Sequence, residues 1–277
     1  MLLSSVIIIL REVLEAALLF SILLAFSKQL NINFKWFGLS VLLGFPCALF
    51  YALNLAEISN WFEGVGQEVS NALIQYIIYF LLVLFMFHYV RLKSISQFKI
   101  SSTNVFILLI SLILSLAIIR EGSEVILYII SASHQKEHIF PVIIGALIGS
   151  GIGISIGFIF YYLLISLSLK WSKITGLTLL TLVSAGMISQ ATQLLIQADW
   201  LPSQLPLWNT GEWLSEKSIV GQLLYALIGY EATPTPLQFT LYLIGLFLPV
   251  SLLVIQAKIT PLDTNTSSSE KLSMEQK

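Results

Sequence analysis

Seven long apolar runs constrain what this chain can fold into. A helix that crosses a bilayer needs about 20 residues at roughly 1.5 Å each. Inside lipid the backbone must be hydrogen-bonded internally, so a chain is confined there to helices or closed barrels. The runs therefore predict an all-α polytopic membrane protein with seven transmembrane helices. We number them spans one to seven: residues 2–26, 36–55, 72–90, 103–130, 141–169, 174–198 and 237–257.

The composition agrees with this class. Hydrophobic residues make up 57% of the 277 residues and charged residues only 10%, whereas soluble domains carry about 25% charge. Residues 1–257 are predicted to form one seven-helix domain with no separate soluble domain. Residues 258–277 are polar and serine-rich, and they are predicted to be a disordered tail.

Charged residues in the links between the spans are sorted by sign. The links after spans one, three and five, together with the tail, hold ten Lys or Arg residues and three acidic residues. The links after spans two, four and six hold two Lys and eight acidic residues. Because cytoplasmic loops are enriched in Lys and Arg, we predict an outer amino end and a cytoplasmic carboxyl end. The predicted location is the inner or plasma membrane of the cell.

Two copies of the motif Arg-Glu-x-x-Glu lie inside the apolar runs, one in span one and one in span four. A charged side chain at the centre of a spanning helix costs on the order of 2.5–3.5 kcal/mol. Two matched clusters of charge at such positions therefore indicate a functional site. The residues are Arg11, Glu12, Glu15, Arg120, Glu121 and Glu124.

The predicted topology makes spans one and four antiparallel. Residues 1–92 and 103–198 are therefore predicted to form an inverted 3+3 repeat, with span seven added at the carboxyl end. Inverted repeats are typical of transporters, whose substrate site lies where the repeats meet. Glycines in spans two and five give a looser match of the two halves, because Gly38 and Gly44 share the spacing of Gly145 and Gly151.

Span five also carries a glycine at every fourth position. Such a row gives a helix a smooth face that permits close contact with a neighbouring helix, so we predict that it packs against another span. A helix that moves could use the same face. The row consists of Gly145, Gly149, Gly153 and Gly157.

The motifs have a definite chemistry. Positions i and i+3 of a helix share a face, so each motif presents a pair of carboxylates. Two such pairs brought together supply four hard oxygen ligands, which suit hard, highly charged cations. Four glutamates and two arginines leave a charge of about −2 when all are ionised. The alternative is structural: Arg11 pairs with Glu15 and Arg120 with Glu124, and these pairs only lock helices together.

The motifs and the order of the spans resemble the oxidase-dependent iron permease family, which includes fungal high-affinity iron permeases and bacterial relatives from ferrous-iron uptake systems. Arg-Glu-x-x-Glu in spans one and four is the mark of that family, and the resemblance covers roughly residues 1–257. It extends to Leu207-Trp208-Asn209-Thr210 and Gly221-Gln222-Leu223-Leu224, although members often have Asp where this chain has Asn209. The resemblance implies import of iron that a partner ferroxidase has just oxidised to the ferric state, with Glu12, Glu15, Glu121 and Glu124 as ligands and Arg11 and Arg120 as supporting residues.

Other polar residues in the spans and links have two interpretations each. Gln75, Gln190 and Gln193 line an ion pathway or join helices by hydrogen bonds. His134, Glu137 and His138 meet an incoming metal or belong to a solvated loop.

Other functions remain open at this stage. Oxygen ligands do not identify one metal uniquely, so an importer of manganese or lead is one alternative. An intramembrane di-iron oxidase is another, although such centres use Glu-x-x-His and neither motif contains His. A structural or sensor subunit would show no metal flux. The sequence contains no nucleotide-binding loop and no copper- or haem-ligand set, so we expect a non-enzyme without a permanent cofactor. Its expected partners are iron, a ferroxidase or iron-delivery protein and the lipid bilayer, and no nucleic acid.

Overall fold

The computed structural model describes residues 2–94, 100–133 and 139–259, and all regular secondary structure within these ranges is helical. Nine α-helices and one 3₁₀ helix, Trp61–Gly64, follow one another along the described chain. The α-helices are α1 (Leu2–Gln29), α2 (Lys35–Leu53), α3 (Leu55–Ser59), α4 (Gly66–Ser94), α5 (Ile100–Ser133), α6 (Ile139–Ser166), α7 (Leu169–Gln197), α8 (Ile219–Ile228) and α9 (Pro236–Ile259).

Six of these helices are long and apolar enough to cross a membrane: α2, α4, α5, α6, α7 and α9. They correspond to predicted spans two to seven, so the chain is an integral membrane protein. Predicted span one lies within α1, which is 28 residues long but carries Arg11, Glu12 and Glu15 in its apolar run. A seventh crossing by α1 therefore stays a prediction.

The links contain more helix than the hydropathy pattern predicts. The link after span two includes α3 and the 3₁₀ helix, and α4 begins at Gly66 instead of residue 72. Hydropathy detects only the apolar part of a helix, whereas the hydrogen-bonded turns continue into polar residues such as Glu68.

Helix α8 lies in the link after span six, where we predicted no helix. Its ends carry recognisable capping residues, since the Ser218 hydroxyl accepts a hydrogen bond of 3.0 Å from the Gly221 N–H. Gly229 ends the helix at φ +65°, and an added Cβ there would lie 2.4 Å from the Gly186 Cα of α7. Gly229 is therefore required both for its left-handed backbone and for the close approach of α8 to α7.

Each long helix packs against particular neighbours. Helix α1 lies along α6, α2 lies along α5, and α4 lies against α7, which also contacts α8 and α9. Among the apolar helices α7 is the most buried and α9 the least. The main hydrophobic core includes a group of four rings at the contact of α1, α4 and α5: Phe26, Phe85, Tyr89 and Phe106.

The glycine row of α6 faces α1, which confirms its predicted role in packing. An added Cβ at Gly145 would lie 2.6 Å from the Ser5 Cβ, and one at Gly149 would lie 2.6 Å from the Val6 carbonyl oxygen. At Gly153 and Gly157 the nearest atoms would be 3.0 Å away, on Val13 and Ala17. The close approach of α6 therefore fixes the position of the helix that carries the first motif.

The glycine match proposed between spans two and five is wrong in register. An added Cβ at Gly38 or at Gly151 would meet nothing within 4 Å, whereas Gly44 and Gly145 are tightly packed. Gly44 lies against Ser115 and Ile118 of α5, and Gly149 lies against Val6 and Ile9 of α1. The offset that takes Arg11 to Arg120 also takes Val6 to Ser115 and Ile9 to Ile118. Gly44 therefore corresponds to Gly149 by contact, two positions from the glycine that spacing had matched.

Two predictions fall largely on residues outside the described ranges. His134, Glu137 and His138 lie between α5 and α6, in the part of the chain that the structure does not describe. The same holds for the predicted tail from residue 260 onward. Helix α9 continues to Ile259, so the first two residues of the predicted tail are helical.

Candidate functional site

Helices α1 and α5 bring the two charged motifs together. The Arg120 Nη1 of α5 donates a hydrogen bond of 3.0 Å to the Glu15 Oε2 of α1, and it also contacts the carboxylate of its neighbour Glu121. The hydroxyls of Ser5 and Tyr128 make a second polar contact between the two helices, at 2.8 Å. The two motifs therefore meet, as the sequence predicts, while their use as a shared cation site stays a prediction.

Most of this site is buried. Arg120 is 3% exposed, and Glu12, Glu15 and Glu121 are 4%, 6% and 3% exposed. Glu124 is the exception, with a side chain 29% exposed. The Asn71 amide of α4 donates to the Glu124 Oε1 over 3.3 Å, so Glu124 lies at the edge of the site and is anchored to a third helix.

Arg11 makes its closest contacts outside the carboxylates. Its Nη2 donates a hydrogen bond of 2.7 Å to the hydroxyl of Tyr225 on α8, and its guanidinium carbon lies 4.3 Å from the centre of that ring. The Arg11 Nε is 3.8 Å from the Glu12 Oε1 and 3.7 Å from the Glu15 Oε1, too far for a hydrogen bond.

Each Arg lies within ion-pair distance of the Glu four residues on, as the structural alternative predicts, but these contacts are not the shortest ones. Arg11 and Glu15 are separated by 3.7 Å, and Arg120 and Glu124 by 3.9 Å. The shorter contact at 3.0 Å crosses from Arg120 to Glu15 on the other helix. Arg120 therefore links α5 to α1, and Arg11 links α1 to α8.

Three carboxylate oxygens in the site are buried and accept no hydrogen bond from the residues that the structure describes: Glu12 Oε2, Glu15 Oε1 and Glu121 Oε2. Buried acceptors without donors are costly. A positive ion at this point would satisfy them.

The site is not a ready-made metal cage. Within residues 2–94, 100–133 and 139–259, no three His, Cys, Asp or Glu side chains are arranged to hold a metal ion. The physical reason is Arg120, whose guanidinium occupies the space between Glu15 and Glu121. A cation that used all four glutamates would have to displace this arginine from them.

The three predicted pathway glutamines separate into a bonded pair and a neighbour. The Gln75 amide of α4 donates a hydrogen bond of 2.7 Å to the Gln190 Oε1 of α7, and both residues are buried. Gln193 is half-buried, three positions further along α7. The bond confirms the interhelical interpretation for Gln75 and Gln190, while a role in conduction stays a prediction for all three.

Sequence reasoning missed Tyr225 and Asn71. Each contacts a motif residue from a different helix, so only the fold reveals the contact. A partial signal existed for Tyr225, because Ser218 and Gly229 mark the ends of the short helix that carries it. For Asn71 the only signal in the sequence was its polar character, near the beginning of what the structure shows to be α4.

A cavity of about 380 Å³ opens beside the first motif. Exposed residues Ser4 and Lys217 line its outer part, and the buried Glu12 and Gln222 line it further in, with Arg11 between them. The cavity therefore joins the molecular surface near α8 to the carboxylates of α1.

Comparison with known proteins agrees with the motif pattern. Residues 2–262 match the model of the Iron permease FTR1 family. A ferrous iron permease EfeU from Escherichia coli O6:K15:H31 is 25% identical over 255 residues, covering 86% of this chain and 90% of the relative, and one from Shigella sonnei gives the same values. A ferrous iron permease EfeU from Yersinia pestis is 26% identical over 253 residues, covering 86% and 88%. No solved structure matches the chain.

Proposed function

Because the chain belongs to the Iron permease FTR1 family, we propose that it imports iron across the inner or plasma membrane through a site built from the glutamates of α1 and α5. Its relatives are named ferrous iron permeases, and six of its helices are apolar enough to cross a bilayer. The observation that carries the proposal is the meeting of two Arg-Glu-x-x-Glu motifs, with three buried oxygens that no described residue satisfies.

The proposed ligands are Glu12, Glu15, Glu121 and Glu124. Carboxylate oxygens favour hard cations, and neither motif contains a sulfur or imidazole side chain that would favour soft ones. In this mechanism the metal takes the carboxylates from Arg120, which moves aside while the ion is bound. Arg120 then returns when the ion leaves and neutralises the empty site, so that buried carboxylates never face one another without a positive charge between them.

The proposed transported form is ferric iron, produced from ferrous iron by a partner ferroxidase outside the membrane. The charge balance supports this form, because four glutamates and two arginines leave about two negative charges. A trivalent cation neutralises them and leaves a positive excess that favours release. The oxidation belongs to a separate protein in this proposal.

The proposed architecture is an inverted repeat of α1, α2 and α4 with α5, α6 and α7, with α9 added and the carboxyl end in the cytoplasm. Two packing contacts support it, since α1 lies along α6 just as α5 lies along α2. Gly149 and Gly44 occupy corresponding places in those contacts. The motif site then lies between the two halves, where transporters of this kind bind their substrates.

Uptake by the purified protein in liposomes tests the proposal. Radioactive iron is supplied in ferrous form, with and without a soluble ferroxidase, and manganese and lead are supplied in parallel. We expect iron to accumulate with the ferroxidase present and little manganese or lead to enter. Accumulation that is equal without the oxidase would refute the ferric form, and entry of manganese in preference to iron would refute the substrate.

A further inference from the structure

The cavity beside the first motif is lined by one buried amide residue that lies outside both motifs, Gln222. Gln222 of α8 lines the cavity and is 7% exposed. Its Nε2 donates a hydrogen bond to the backbone carbonyl of Glu216. Only the amide nitrogen can donate to a carbonyl oxygen, so this bond fixes which end of the amide is which.

The orientation leaves the Gln222 Oε1 as the end of the amide that is not used in this bond. This oxygen is buried and accepts no hydrogen bond from the part of the chain that the structure describes. Glu12 lines the inner end of the same cavity, and its Oε2 is also buried and accepts no hydrogen bond from the described residues. Two residues that line one cavity therefore each hold an unsatisfied buried acceptor, a neutral carbonyl and a carboxylate, and this pair matches the ligand preference of a hard metal cation.

The positive groups of the cavity are arranged around these oxygens. Arg11 is held by Tyr225, through a hydrogen bond of 2.7 Å and its position 4.3 Å over the ring. Lys217 is exposed at the mouth. An incoming cation therefore passes Lys217 at the mouth and Arg11, whose guanidinium is bound to Tyr225, before it reaches Gln222 and Glu12.

We propose that Gln222 and Glu12 form an outer cation site, at which an arriving metal ion exchanges part of its water shell for the Gln222 Oε1 and the Glu12 carboxylate before it reaches the glutamates of α5. The proposal rests on the proposed function, because it makes this cavity the entrance to the motif site. It assigns to α8 a role in substrate capture, and to Glu12 a place in both the outer and the inner site.

Two substitutions at Gln222 separate a ligand from a structural residue. Gln222→Leu and Gln222→Glu both remove the hydrogen bond to the Glu216 carbonyl, but only Gln222→Leu removes the oxygen from the cavity. We expect Gln222→Leu to raise the KM for iron uptake by about fivefold, the usual effect of one neutral polar contact, at unchanged maximal rate per molecule. Gln222→Glu should keep the KM at or below that of the parent.

Two further variants act as controls. Gln204 lies in the same link, and its Oε1 accepts from the Leu237 N–H at 3.1 Å outside this cavity, so Gln204→Leu should leave the KM unchanged. Lys217→Gln removes a positive charge from the mouth and should lower the KM at low ionic strength, with the difference lost in high salt. Equal KM increases in Gln222→Leu and Gln222→Glu would overturn the proposal, as would a parental KM in both.

A binding measurement decides the inference independently of transport. The chain has one cysteine, Cys47, so Cys47→Ser with Ser4→Cys places a single thiol in the outer part of the cavity. We expect a membrane-impermeant maleimide to label this thiol, and ferrous ion or ferric citrate to slow the labelling. The protection should disappear when Gln222→Leu is added.

Absence of labelling, or labelling that neither form of iron slows, would overturn the outer site. If the parent protein takes up no iron in liposomes, the proposed function fails, and the labelling result still stands for or against the outer site. If the parent takes up iron and labelling is unprotected, the proposed function stands and the outer site fails.

Discussion

At the scale of single residues, the four motif glutamates are held in different ways. Glu15 and Glu121 are in direct contact with Arg120. Among the residues that the structure describes, the ion-pair partner of Glu12 is Arg11 at 3.8 Å. Glu124 has the Asn71 amide at 3.3 Å and Arg120 at 3.9 Å. Loss of charge at Glu12 or Glu124 therefore leaves Arg120 with its closest partners, whereas loss at Glu15 or Glu121 does not.

This difference gives a prediction for glutamine substitutions. We expect Glu12→Gln and Glu124→Gln to keep normal membrane abundance and to lower iron uptake per molecule at least about tenfold, because each removes a charged ligand. Glu15→Gln and Glu121→Gln should lower both uptake and abundance, because a buried arginine loses a partner. Uptake and abundance are measured on the same membranes.

The control is Glu57→Gln, the same chemical change at an exposed residue of α3. It should behave as the parent in both measurements. Normal uptake per molecule in Glu12→Gln or Glu124→Gln would remove that residue from the proposed site, and normal uptake in all four variants would rule out the mechanism.

Glu231, in the link between α8 and α9, provides a prediction for pH dependence. Burial raises the pKa of Glu231 to about 7 from 4.5; nearby Glu216 also raises this pKa, while the Gln238 amide at 2.9 Å and the charge of Arg11 lower it. The unfolded chain releases this proton near its ordinary pKa and the folded chain only near 7, so folding stability falls as pH rises through that window and then levels off.

Glu231→Gln abolishes this contribution. We expect the melting temperature of the variant in detergent to exceed that of the parent at pH 8, with the difference vanishing toward pH 4.5. Because other groups titrate equally in both proteins, the difference between the two melting curves is the quantity to follow. A difference that is constant with pH would show that Glu231 has an ordinary pKa.

At the scale of helices, the position of the first motif depends on the contact between α1 and α6. The glycine row of α6 lets the backbone of α1 approach so closely that an added Cβ at Gly149 would lie 2.6 Å from the Val6 carbonyl oxygen. Ser21 strengthens the contact, since its hydroxyl donates to the Gly157 carbonyl oxygen at 2.7 Å. Any widening here shifts Glu12 and Glu15 relative to α5, because they lie on the helix that α6 holds in place.

Gly149→Leu and Gly151→Leu test this contact with the same substitution on the same helix. Gly151 is exposed, and an added Cβ there would meet nothing within 4 Å. We expect Gly149→Leu to destabilise the protein by about 1–3 kcal/mol, the usual cost of overpacking, and to reduce its monodisperse yield. Gly151→Leu should match the parent. Equal yield and thermal stability of the two variants would mean that α6 does not depend on this face for packing.

At the scale of the whole molecule, the sorting of charge and the helix packing bear on one question, the orientation in the membrane. Basic links alternate with acidic ones along the chain. The link that holds α8 belongs to the acidic set, and the cavity that reaches Glu12 opens beside α8. An outer position for this link therefore gives the cavity access to the side from which imported iron arrives.

Reporter fusions test the orientation. Green fluorescent protein fused after Lys277 should fluoresce, because the positive-inside rule predicts a cytoplasmic end, and alkaline phosphatase fused there should be inactive. Fusions that end in the link between α7 and α8, after Trp213, should give the opposite pair of results. Active phosphatase after Lys277 would reverse the topology and place the cavity on the cytoplasmic side.

The sequence by itself determined the class of the protein and the composition of its site. Apolar runs of spanning length allow little except membrane helices, because lipid offers no hydrogen bonds to an unpaired backbone. Charged residues inside such runs are costly, so Arg11, Glu12, Glu15, Arg120, Glu121 and Glu124 could be identified from their positions alone. The short helices α3 and α8 were missed because hydropathy over a spanning length does not detect five or ten residues, even when they are apolar as in Ile219–Ile228.

The tertiary structure decided which groups meet. Arg120 lies closer to Glu15 on another helix than to Glu124 one turn away, and Arg11 donates its hydrogen bond to Tyr225 on α8. Gln222 lines a cavity and keeps its amide oxygen unpaired, because a backbone carbonyl binds its nitrogen. Sequence spacing describes neighbours along one helix, but a long side chain binds whichever partner the packing of several helices brings within about 3 Å. Such packing depends on contacts like that of Gly149 with Val6, which no local pattern contains.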